Sequence, residues 1–164
     1  MKYFKKPFLL FAASVLCHLS YGQQVPPPSP CPPPDYNKVY VRSEVMPRFP
    51  GCEDLEGNDE EKAKCAVTKM NEYIYTHLKY PEEAKKNGVQ GQVVLKFVVT
   101  KEGKIIDIEP LRDPGAGLGD AAKEVVMSMN DLPQRWSSGK MNGIPVNVWY
   151  TLPIKFSLDT TNKK

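Results

Sequence analysis

The chain has 164 residues, with 22 Lys and Arg against 19 Asp and Glu, a formal charge of +3. That length allows one domain with appendages. The excess charge sits in Lys2, Lys5 and Lys6; without the first 22 residues 19 of each sign remain, and a formally neutral chain with scattered charges offers no electrostatic footprint for nucleic acid or an anionic membrane.

At the N-terminus those three lysines precede an apolar stretch over residues 8–19, followed by Ser20-Tyr21-Gly22. Small residues at the −3 and −1 positions predict a signal peptide over residues 1–22, cleaved after Gly22. The apolar stretch is shorter than the roughly 20 residues that span a bilayer as a helix, although an uncleaved anchor stays open as an alternative. Residues 23–45 read as a proline-rich linker, because Val25-Pro26-Pro27-Pro28-Ser29-Pro30-Cys31-Pro32-Pro33-Pro34 lacks the donors for a ladder. Such a tract is a polyproline II spacer of about 30 Å.

Export implies an oxidising compartment, where cysteines pair. Cys52 and Cys65 flank a polar loop in the globular region and are predicted to form a disulfide, which leaves Cys31 over. A loop of that size contributes about 3 kcal/mol on the chain-entropy model. The rival, a zinc site using these cysteines with His77, lacks the paired-ligand spacing, and no metal or other cofactor is expected.

Asn58 with Glu61 forms a capping box that opens a helix with Val67, Met70, Ile74 and Leu78 on its apolar face. Pro81 starts a short turn of helix that Asn87-Gly88 ends. A hairpin follows: Val93, Leu95, Phe97 and Val99 alternate, Lys101-Glu102-Gly103 turns, and Ile106 and Ile108 resume the apolar side. After a glycine-bearing loop a second helix is expected over residues 120–130, with Ala121, Val125, Val126 and Met129 inward.

Residues 144–158 form the longest strict alternation in the chain, with Val146, Val148, Tyr150, Leu152, Ile154, Phe156 and Leu158 on one side. Pro145 and Pro153 share one parity, so both missing donors fall on one edge, which predicts an edge strand. The expected fold class is therefore α+β: a three-stranded antiparallel sheet with two α-helices packed on one face. The folded domain is set at residues 46–158, with a disordered tail over residues 159–164. An edge strand offers unpaired N–H and C=O groups to which a partner peptide can add a strand. Val146, Asn147, Val148, Trp149, Tyr150, Thr151 and Lys155 are the candidate partner-binding residues. The outward backbone groups are assigned to Asn147, Trp149 and Thr151, and Trp149→Pro is expected to abolish peptide binding without unfolding the domain.

Catalysis finds no constellation. His77 lies beside the apolar face of the first helix with no carboxylate or thiol partner nearby in sequence. The pairs Glu60-Glu61 and Glu82-Glu83 suit the first turns of helices, and the spacing of Gly115-Ala116-Gly117-Leu118-Gly119 departs from a nucleotide-binding loop. No catalytic residue is assigned and no enzyme is expected.

Tyr80-Pro81-Glu82-Glu83-Ala84 with Gly88, the run Gly91-Gln92-Val93-Val94-Leu95-Lys96-Phe97-Val98-Val99 with Gly103-Lys104-Ile105, and Trp136 ahead of Gly139-Lys140-Met141-Asn142-Gly143-Ile144-Pro145-Val146 and Thr151-Leu152-Pro153-Ile154-Lys155-Phe156 together resemble the TonB C-terminal domain, in a Bacteroidota-type form. The resemblance covers residues 46–158. It implies a periplasmic domain whose last strand pairs with the TonB-box peptide of a TonB-dependent outer-membrane receptor, in a system energised through ExbB and ExbD. The short tract differs from the long spacer of a transducer: fully extended, residues 23–45 reach only about 75 Å. Three readings follow: a periplasmic peptide-binding module linked to transmembrane transport, an inner-membrane-anchored energy transducer facing the periplasm, and a structural domain that self-associates as a homodimer.

Overall fold

The computed structural model describes Asp35 and residues 38–158; residues 1–22 read as a signal peptide, most of the stretch read as linker with Cys31, and residues 159–164 lie outside the described residues. Among the described residues no helix is long and apolar enough to cross a membrane.

Two long strands set the frame. Strand β2, Gly91–Val99, buries Val93, Leu95, Phe97 and Val99 on one face. It pairs antiparallel with β5, Ile144–Phe156, in an unbroken register from Gly91 opposite Phe156 to Val99 opposite Val148. Leu152, Ile154 and Phe156 join the same core. Strand β3, Ile105–Arg112, is antiparallel to the other side of β2. The three expected strands and their antiparallel pairing are present.

Two short strands enlarge the sheet beyond the three expected. Strand β1, Val39–Tyr40, lies parallel to β5 with Val39 opposite Asn147 and Tyr40 opposite Val148, inside the stretch read as linker. Strand β4, Gly139–Met141, pairs with the start of β5 through the turn Asn142-Gly143. Both turn residues have positive φ, 50° and 75°, which suits a two-residue hairpin. The path through the sheet is β1-β5-β2-β3, so β5 is interior at its start and an edge only beyond Val148.

Helix α1, Asp59–His77, begins at the expected capping box: Asn58 Oδ1 accepts from Glu61 N–H, and Glu61 Oε2 accepts from Asn58 N–H. It buries Ala66, Met70 and Ile74, whereas Val67 is 46% exposed and not a core residue as the periodicity suggested. Helix α2, Glu82–Lys86, seats Ala84 in the core. Helix α3 spans Leu118–Ser128, two residues earlier than expected, and Met129–Asp131 tightens into a 3₁₀ turn. Ala122, not Ala121, is its fully buried alanine.

The expected parity of β3 fails for a local reason. Asp107 has φ 52° within a register shift, a bulge that inserts one residue. Ile105 and Ile108 consequently share the core side, and Ile106, opposite Val98, is left 44% exposed.

The disulfide Cys52–Cys65 is formed, with a Cα–Cα distance of 6.1 Å, and joins the segment before α1 to its second turn. Behind it, Trp136 meets Phe49, Phe97 and Tyr150 edge-on at centroid distances of 5.8, 5.9 and 5.3 Å. This aromatic cluster ties the pre-helix segment, β2 and β5 together.

Candidate peptide-docking edge

A paired strand tolerates proline only where its nitrogen faces away from the partner. Pro153 stands opposite Val94 within the β2–β5 ladder, so the odd-numbered residues of β5 direct their backbone groups to the other side. At Asn147 that side is taken by Val39 of β1. From Trp149 to Phe156 no described strand lies there.

The structure thus divides the seven sequence-derived candidates. Val146 and Val148 are buried, and Tyr150 packs its ring on Phe97 at 5.5 Å. Asn147 is engaged twice, in register with Val39 and through Oδ1, which accepts from Lys101 N–H at 2.9 Å. Trp149, Thr151 and Lys155 lie on the open stretch, where Lys96 Nζ stands 3.9 Å from the Trp149 ring centroid. Such a contact over the ring face is an attraction of about 0.5–1 kcal/mol at an exposed site.

The open edge starts inside a groove of about 760 Å³. Trp149, Tyr150 and Thr151 form one side, Ala63, Val67 and Met70 of α1 another, and the segment Val41 to Phe49 a third. Val41 is 76% and Met46 40% exposed on that wall, an apolar surface directly beside unpaired backbone. The third wall is held by several ties. Val45 and Lys140 exchange backbone hydrogen bonds of 3.2 and 2.8 Å, Glu44 Oε2 accepts from Asn142 N–H at 2.8 Å, and Arg48 donates to Asp59 Oδ1 at 2.9 Å. The hydrogen bond and charge of Arg48 hold the Asp59 carboxyl below its ordinary pKa. Burial raises the pKa of the Tyr150 phenol, which stays neutral.

The other sheet edge is built differently. Strand β3 is irregular, with the Asp107 bulge and a second register shift between Val94 and Leu95, features that discourage edge pairing. The open stretch of β5 keeps an unbroken register with β2, and Pro153 removes one outward donor from it.

Features weighed for chemistry have structural roles. His77 is exposed, stacks on Tyr73 at 4.1 Å and contacts the Tyr73 carbonyl through Nδ1 at 2.8 Å. The N-terminus of α3 is served from within the chain, since Asp113 Oδ1 accepts from Gly115 and Gly119 N–H at 2.8 and 3.1 Å. Among the described residues no cluster of three potential metal-ligating side chains exists.

The family described as the Gram-negative bacterial TonB protein C-terminal matches residues 76–158, about half the chain. The chain belongs to the TonB C-terminal family. That family is a non-enzymatic, transport-associated periplasmic domain, involved in TonB-dependent transport with outer-membrane receptors and ExbB/ExbD-related systems. Among solved structures, the Helicobacter pylori TonB C-terminal domain is 23% identical, covering 60% of this chain and 96% of that one at a TM-score of 0.44. The Pseudomonas aeruginosa domain is 27% identical, covering 52% and 80% at 0.37. A search of curated proteins finds no match. The TonB C-terminal match spans both long β2 and β5 strands but begins at the end of α1, so the groove wall of residues 41–49 and most of α1 lie outside it.

The sequence reading missed this wall. Its one local signal was the run of strand-favouring residues Val39-Tyr40-Val41, too short to stand out beside the proline tract.

Proposed function

We propose that this protein docks the TonB-box segment of an outer-membrane transporter as an added strand on β5, using the edge from Trp149 to Phe156. The observation that supports the reading is the open, regular edge of β5 beside an apolar groove, on a sheet whose other edge is blunted. Backbone groups of Trp149, Thr151 and Lys155 pair with the incoming strand, and Tyr150 lies beside its groove-facing side chains. Val146 and Val148 act from the core by holding the strand in place, and Asn147, opposite Val39, lies in the stretch that β1 already covers.

The test is titration of labelled TonB-box peptides with amide hydrogen exchange read residue by residue. Docking on this edge slows exchange at Trp149, Thr151 and Lys155. Binding with protection confined to β3, or no binding by any such peptide, would refute the proposal.

A further inference from the structure

The open edge of β5 has a concavity at each end. The first is the largely apolar 760 Å³ groove beside Trp149, Tyr150 and Thr151. The second, of about 330 Å³ and mixed lining, lies at Lys155 and Phe156 and is walled by Tyr75, Leu78, Tyr80 and Lys85. Helix α1 borders both: Val67, 46% exposed, lines the first, and Tyr75, 54% exposed, lines the second. The lengths agree. From Ala63 to His77 the helix rises about 21 Å, and from Tyr150 to Phe156 a strand advances about 20 Å.

A strand added to β5 alternates its side chains in step with the residues opposite. Tyr150 and Phe156 both face the helix side, so the residues opposite them also face that side, six positions apart. Residues opposite Thr151 and Lys155 face the other side of the sheet, which carries Lys96 and Lys155. Neither lysine has an ion pair among the described residues, and Glu109, in register with Lys96, forms none with it. At the near end β1 stands against Asn147 and Val148, so a docked strand starts at Trp149.

Resting on the strand-addition reading, we infer that the partner segment is a two-anchor peptide. One large apolar side chain enters the groove against Val67 and Met70, and a second, six residues along, enters the concavity against Tyr75 and Leu78. Acidic residues next to each anchor face Lys96 and Lys155. The register follows from the two concavities and from β1, and the even spacing keeps both anchors on one face.

A palindromic probe tests this, because it presents the same side chains in either strand direction: leucine-glutamate-threonine-threonine-threonine-glutamate-leucine, labelled and blocked at its termini. Binding to the full chain is followed by fluorescence anisotropy, with amide exchange recorded in parallel. Removing one central threonine turns the second leucine to the opposite face and is expected to weaken binding about tenfold or more, the worth of one buried leucine. Val67→Glu and Tyr75→Ser each weaken the parent probe similarly, and circular dichroism confirms that these exposed positions leave the fold intact. Replacing both glutamates by lysines also weakens it, with the difference shrinking at high salt. If the six-spaced and five-spaced probes bind equally while Trp149 and Thr151 amides become protected, the two-anchor assignment is overturned and strand addition stands. If neither probe binds, the two-anchor assignment also falls, and titration of TonB-box peptides then decides strand addition separately.

Discussion

Thr151→Pro isolates the backbone contribution of the proposed docking edge. Thr151 is exposed at the middle of the open stretch, opposite Lys96, and shares its parity with Pro153. Its N–H therefore faces away from β2. Proline deletes that donor and places its ring where the incoming strand would lie. One intermolecular hydrogen bond contributes about 0.5–1.5 kcal/mol net, and loss of a neighbouring bond through the ring's bulk brings the total to about 1–3 kcal/mol. That is a weakening of roughly 5- to 150-fold in the dissociation constant. The β2 ladder keeps its bonds, so the thermal midpoint should fall only by the local strain of fixing φ. Titration calorimetry with a TonB-box peptide, beside thermal unfolding, measures both, and Thr151→Ala, which keeps the N–H, is the control. Unchanged affinity in Thr151→Pro would refute the edge assignment, and so would a collapse in stability, which would place that N–H in the β2 ladder.

Three further predictions concern the elements that shape the site. Replacing Cys52 and Cys65 together by serine should cost about 3 kcal/mol of unfolding free energy, read as a lower denaturant midpoint, and reduction of the native protein should reproduce the shift. Gly119→Ala should destabilise by about 1–3 kcal/mol, because a Cβ there would sit 2.2 Å from Asp113 Oδ2 and displace the carboxylate that accepts from the α3 N-terminus; Asp113→Ala in the same background should then add little in a thermal-unfolding cycle. The Asp59 carboxyl should titrate below 3.8 by carbon chemical shift. Since its folded pKa is depressed, the stabilisation from Arg48 is fully present above 3.8 and lost as pH falls through the folded value, so Arg48→Ala should bring the midpoint back toward 3.8.

Local patterns carried much of this protein. The capping box at Asn58 and Glu61 sits four residues in a row, so its geometry depends on nothing distant. The alternations of β2 and β5 are long enough that burial of one face leaves a single register, and the cysteine pair follows from its position around one loop. The parity of Pro145 and Pro153 named the outward edge of β5 because a missing donor constrains its own strand.

What only the tertiary structure decided are the contacts between segments far apart in the chain. β1 claims Asn147 and Val148 from more than a hundred residues upstream with only two residues of strand, too few for any periodicity to register. The Asp107 bulge exchanged Ile106 for Ile105 in the core, since one inserted residue reverses parity and no pattern within β3 marks where it falls. Val67 satisfies the apolar period of α1 yet faces a groove, because the period names a stripe on the helix, while which part of that stripe is covered depends on where the sheet ends. The open edge was thus written into β5, and the groove walls beside it arose from folding residues 41–49 and α1 against it.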